Sequence, residues 1–103
     1  FLDNKDVIEM EETLLRMLRN ELFITWEDEE TMMRLQRIIL SAIPTMNYKL
    51  GVSDIDYSED GMEQNLFINY CVYVYNGCAN EFDENYFNEI MQIRQYYEVY
   101  GNE

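Results

Sequence analysis

The sequence has no histidine, one proline, two cysteines and four glycines, and only seven of its 103 residues are lysine or arginine. Each shortage removes a class of function. Without histidine there is no Ser–His or Cys–His nucleophile pair, no imidazole metal ligand and no imidazole general base. Cys71 and Cys78 give no disulfide framework, and a reducing, cytosolic setting is the default they imply. On a helix extending that far they would share a face about 10 Å apart, too far for a disulfide, so both read as structural thiols. The four glycines stand apart from one another and form no phosphate-cradling loop. No apolar run approaches the roughly 20 residues of a membrane-spanning helix, and no positively charged leader precedes a hydrophobic stretch. The sequence begins at Phe1 rather than Met, which leaves open a preceding segment, including a removed signal peptide.

The scarcity of cations is the most informative shortage. Twenty-one acidic residues against seven basic ones give a formal net charge of −14. Affinity for a nucleic acid backbone comes from Lys and Arg neutralising phosphates, so this balance argues against such binding. A basic partner, a repeated self-assembly, or a surface to which DNA should not stick all remain compatible with it. Hydrophobic residues make up 48% of the chain, enough for a packed interior, so the acidity is not that of a disordered tail. The length suits one domain, residues 1–103, with a single two-layer core.

Helical periods account for most of the chain. Val7 and Ile8, then Leu14 and Leu15, Leu18 and Leu22 form one apolar stripe. The stretch FITWEDEE breaks it, and Thr25 followed by Asp28 resembles a capping box, with Glu27 to Glu30 suited to a helix N-terminus. A second stripe runs through Met32, Leu35, Ile39, Ala42, Ile43, Met46 and Leu50, and Gly51 is its natural stop. Pro44 lies inside this stripe and should bend the helix near Leu40, but the period continues in phase, which favours one long kinked helix. An acidic, turn-rich loop covers residues 52–61. A third helix is predicted over Met62–Tyr75, with Leu66, Phe67, Tyr70, Cys71 and Val74 on one side. Its end, CVYVYNG, also carries a hairpin signal in Asn76-Gly77, but the residues that follow do not alternate as a returning strand should. A last helix is predicted from Asp83 as N-cap through Ile90, Ile93 and Tyr97 to Tyr100. The expected fold is all-α, a small bundle of about four helices with a kinked second helix and an acidic inter-helix loop.

One motif invites a sharper reading. From Asp56 the chain reads Asp-x-Ser-x-Asp-Gly, the opening of a calcium-binding EF-hand loop. The loop's twelfth position, which needs a bidentate Glu, is Phe67, and the hydrophobic position after the glycine is Glu63. The motif fails, and Asp54, Asp56, Glu59 and Asp60 read as a solvated acidic loop. No cofactor is predicted. With 21 carboxylates any pair can be found, so a pair carries no information, and nothing marks the ligands of a metal-dependent enzyme. Nine tyrosines without surrounding cations argue against a base-stacking platform.

At the C-terminal end, IRQYYEVYGNE places Tyr96, Tyr97 and Tyr100 where they cannot all point one way, because consecutive helical residues differ by about 100°. At least one aromatic is displayed outward, and residues 95–103 become a candidate docking tail.

The order of signals resembles a known family. An acid- and Leu-rich first helix leads into LFITWEDEETMMRLQRIILSAIPTMNYKLG, then an acidic insertion, then NLFINYCVYVYNG and NYFNEIMQIRQYYEVY. From about Val7 to Tyr100 this looks like the small head–tail connector (adaptor) proteins of tailed double-stranded DNA phages and prophages. The join through Asp28-Glu29 into the helix ending Lys49-Leu50-Gly51 is its most specific piece; Pro44 and the long 52–61 loop depart from it. The resemblance implies a non-enzymatic virion protein with no cofactor and no membrane role. Such a protein forms a ring of about twelve copies between the portal and the stopper or tail-completion proteins, at the virion neck. The subunit would occupy the host cytoplasm during assembly. An acidic lining would repel passing DNA over a Debye length of about 8 Å, with the 52–61 loop as a candidate lining. The C-terminal segment would reach the portal. A rival reading from another class is an acidic mimic of DNA that inhibits a DNA-binding protein, and a third is an unmarked metal-dependent enzyme.

Overall fold

The computed structural model describes residues 4–101. They form five α-helices: α1 Asn4–Glu21, α2 Glu29–Leu50, α3 Met62–Tyr75, α4 Phe82–Asn85 and α5 Phe87–Tyr100. A single 3-10 turn, Ala79–Glu81, leads into α4, and no strand occurs among the described residues. The all-α class expected from the sequence is what folds. The molecule measures 44 × 33 × 19 Å, so its short axis is two helices thick.

Helix α1 buries Met10, Leu14 and Leu18, one residue per turn, against α2 and α3. Its end is a Schellman motif: the Ile24 amide donates to the Arg19 carbonyl at 2.9 Å and the Phe23 amide to the Asn20 carbonyl at 3.2 Å. Ile24 and Leu18 are both buried, the apolar pair that accompanies this motif. The motif places Phe23 at φ 58°, in the left-handed region.

Helix α2 begins one residue after Asp28, whose carboxylate accepts from the Thr31 amide at 3.0 Å. The capping pair is therefore Asp28 and Thr31 rather than Thr25 and Asp28. Asp28 itself has the extended backbone of an N-cap, φ −66° and ψ 147°. Hydrogen bonds from the Thr31 side chain and backbone hold its carboxyl below the usual range. The helix runs unbroken through Pro44 to Leu50 and buries Leu35, Ile38, Ile39, Ala42, Met46 and Leu50. It packs against α1, α3 and α5 and forms the middle of the core. Near the proline, the Ser41 hydroxyl donates to the Ile38 carbonyl and the Thr45 hydroxyl to the Ser41 carbonyl, each at 3.0 Å. Gly51, φ 68°, closes the helix in a second Schellman motif, with its amide to Tyr48 and the Val52 amide to Asn47.

Helix α3 occupies the predicted Met62–Tyr75 span and ends at Asn76-Gly77 in a third such motif, with Gly77 at φ 77°. The Asn-Gly pair ends a helix, not a hairpin. Cys78 lies beyond that end, so the two cysteines do not share a helix face; Cys71 is buried, Cys78 half-buried, and both are free thiols. Burial pushes the Cys71 thiol up to about 12.

The predicted last helix is two helices. Asp83 is not its N-cap but sits in the first turn of α4, and the helical run breaks at Tyr86. The aromatic packing around Phe82 accompanies this break. Phe82 is fully buried, edge-on to Tyr70 and Tyr73 at 5.1 and 5.5 Å, and stacked on Tyr86 at 4.7 Å. Anchored at both ends by this cluster, the segment turns before α5 returns across α2 with Ile90 and Ile93 inward.

Candidate interaction surfaces

The C-terminal tyrosines divide as the helical period dictates. Tyr97 turns toward α3, and its hydroxyl donates to Glu63 Oε2 at 2.7 Å. Burial and that bond push its phenol up to about 12. Tyr96 and Tyr100 turn outward, 57% and 54% exposed, with ring centroids 5.0 Å apart. Val99 is also exposed, so residues 96, 99 and 100 make an apolar strip one turn from the end of α5. Of the candidate tail 95–103, residues 102 and 103 lie outside the described residues.

The 52–61 loop is held to the core in a way its composition conceals. Tyr57, in the middle of the acidic run, is fully buried. Its ring stacks on Phe67 at 4.6 Å, and its hydroxyl donates to Asn47 Oδ1 at 2.6 Å. Burial raises its phenol above the ordinary tyrosine value. Asp54, Glu59 and Asp60 are exposed, while Asp56 is half-buried and accepts from the Ser58 amide at 2.9 Å. The loop is thus solvated along its carboxylates and anchored through Tyr57. Phe67, where an EF-hand would need its glutamate, is a core residue.

Two further features carry no motif in the sequence. The first is the corner between α1 and α2. Phe23 is 86% exposed and Trp26 52%, with Trp26 Nε1 donating to Thr31 Oγ1 at 3.3 Å. Arg19 Nη1 pairs with Glu27 Oε1 at 3.0 Å, and Glu21, Asp28, Glu29 and Glu30 are exposed around it. The second is an open groove of about 770 Å³ between the C-terminal turn of α2 and α5. Tyr48, 85% exposed, and Phe87 stand at its edges, with Ile90 and Met91 also lining it. Arg94 reaches across from α5, its Nη1 donating to the Lys49 carbonyl at 2.9 Å and the Tyr48 carbonyl at 3.4 Å, where the helix dipole favours a cation. Lys49 Nζ contacts Asp83 at 2.6 Å.

No family model, no curated protein and no solved structure matches this chain.

Among the described residues no three His, Cys, Asp or Glu side chains come together to hold a metal ion. The buried Cys71 thiol stays neutral at physiological pH. No helix among the described residues is long and apolar enough to cross a membrane. Among the described residues, exposed aromatic surface occurs at three places: the α1–α2 corner, the α2–α5 groove and the end of α5. The sequence signal for the last was the tyrosine spacing. The other two depend on backbone geometry and helix packing, which composition does not encode.

Proposed function

We propose that this chain is a non-enzymatic structural subunit of a tailed phage or prophage, working as a head–tail connector. Copies form a ring between the portal and the stopper or tail-completion protein and extend the DNA channel. The observation that carries the reading is the Tyr96–Val99–Tyr100 strip, apolar and outward-facing at the end of α5 while Tyr97 braces the helix through Glu63. Buried aromatic anchors of this kind dominate protein interfaces. The exposed carboxylates of Asp54, Glu59 and Asp60 suit a lining from which DNA is repelled. In this reading α2 bends at Pro44, four principal helices make the bundle, α4 is a connecting turn, and the subunit moves from host cytoplasm to virion neck.

Size exclusion with light scattering over a wide concentration range, followed by negative-stain imaging, tests the assembly. Rings of about twelve subunits with a central hole support it. Co-sedimentation with a portal tests the docking end: removal of residues 95–103 should abolish binding, and full binding without them overturns it.

The same loop carboxylates favour a second reading as a DNA mimic. A mimic binds a basic DNA-binding protein with steep salt dependence and needs no ring. The scattering experiment, repeated with such a protein added, separates the two.

A further inference from the structure

We propose that copies of this chain join head to tail, the Phe23–Trp26 corner of one copy seated in the α2–α5 groove of the next. The inference deepens the ring reading and rests on it only for closure of the chain of contacts into a ring.

The corner is the first half of the argument. Three helices end in the same Schellman motif, and the left-handed position is Gly51 in one, Gly77 in another and Phe23 in the third. An L-residue there carries a steric strain that glycine avoids. The Phe23 ring returns little of this to the monomer, since it is 86% exposed. Strain combined with an outward aromatic side chain is the signature of a residue held for contact. Trp26 stands three residues on with its indole N–H already bonded to Thr31, so its apolar face can be covered without orphaning a donor.

The groove is the second half. At about 770 Å³ it lies within the roughly 300–1,000 Å³ of ordinary binding clefts, wide enough for aromatic side chains. Its edges, Tyr48 and Phe87, are themselves uncovered apolar surface. Charge selects the occupant. Asp83, the single acid among the lining residues, is paired with Lys49, which leaves Arg94 as a cation with no acid beside it in the groove, although acids outnumber cations threefold over the chain. The corner brings Glu21, Glu27, Asp28, Glu29 and Glu30 against Arg19 alone.

Placement then fixes the geometry of assembly. The corner precedes the first turn of α2 and the groove follows its last, about 30 Å apart at 1.5 Å per residue. A copy cannot fill its own groove. Each copy offers one corner and one groove on different surfaces, a heterologous contact that propagates until it closes into a ring or runs on as a filament.

The test uses the full chain at about 0.15 M salt, where whole-molecule repulsion is screened beyond about 8 Å. Trp26 is the sole tryptophan and reports on the corner directly. Mass by light scattering should rise with concentration while Trp26 emission shifts to shorter wavelength. Phe23→Gly and Phe87→Glu, both at exposed positions, should each stay monomeric to at least about tenfold higher concentration with unchanged helicity. An equimolar mixture of the two variants should form a species of two chains and stop, because one retains a groove and the other a corner.

Wild type that stays monomeric throughout overturns the contact, as does a corner that binds only an added basic protein. Association that both variants retain, including intact rings, overturns the contact while leaving the ring reading standing. Open filaments lost in both variants support the contact and overturn closure.

Discussion

Tyr57 stacks on Phe67 at 4.6 Å and its hydroxyl donates a hydrogen bond to Asn47 Oδ1 at 2.6 Å, so one residue of an acidic loop is fastened to both α3 and α2. Removing the ring leaves a cavity beside Phe67 and an unpaired amide. Tyr57→Ala should cost about 3–5 kcal/mol, whereas Tyr57→Phe, which keeps the stack, should cost about 1 kcal/mol. Urea unfolding followed by circular dichroism measures both; equal losses would show that the ring is not the anchor.

Phe23 offers a test in the opposite direction. Relief of the left-handed strain is worth about 1–2 kcal/mol, and the added freedom of glycine in the unfolded chain takes back about 0.5–1 kcal/mol. Phe23→Gly should therefore raise monomer stability by about 0.5–1 kcal/mol. Gly77→Ala, with open space where the added Cβ would sit and the same backbone requirement, should lower it. A Phe23→Gly protein less stable than wild type would mean that the ring packs within the monomer.

Asp28 links the start of α2 to pH. Its carboxyl is held below the ordinary value of 3.8 in the fold, so it binds fewer protons folded than unfolded in that region. Its contribution is present above about pH 4 and disappears as pH falls through the lowered folded value. Asp28→Asn, which keeps a cap oxygen, should remain folded and lose this share of the acid sensitivity in thermal melts between pH 2 and 5.

The tyrosines set the alkaline limit. The Tyr97 phenol is raised from 10.0 to about 12 and Tyr57 is also raised, so the folded state keeps protons that the unfolded state releases. Stability from this source is complete below about pH 10 and is lost as pH rises through about 12. Absorbance titration of phenolate should show a component ionising above the ordinary tyrosine range, and Tyr97→Phe should remove part of it.

Much of this architecture was legible because helix ends carry their own chemistry. Gly51 and Asn76-Gly77 mark the ends of α2 and α3, and the in-phase stripe across Pro44 identifies α2 as one helix. Asp28 was visible as a start signal but was paired with the wrong threonine, since Thr25 and Thr31 flank it at equal distance. The division of the last helix was not legible, because it accompanies Phe82 meeting Tyr70, Tyr73 and Tyr86 in space. Tyr57 was hidden for a related reason. Its neighbours along the chain are acids, and only the fold brings it to Phe67. That at least one tyrosine near the end of α5 turns outward followed from helical period. That Tyr100 leaves the stripe of Tyr97 to face out beside Tyr96 did not, and the corner at Phe23 required the backbone angle.

The proline inside α2 has a consequence for how the molecule breathes. Pro44 has no amide proton, so the ladder of hydrogen bonds along the central helix is interrupted near the Leu40 carbonyl. Toward Glu29 the helix lies along α1; toward Leu50 it is tied to α5 through Arg94 and to the loop through Asn47. A missing rung between two such groups lets each open without carrying the other. Amide exchange should therefore resolve α2 into two blocks, the first exchanging in step with α1 and the second with α5, within what looks like one continuous rod.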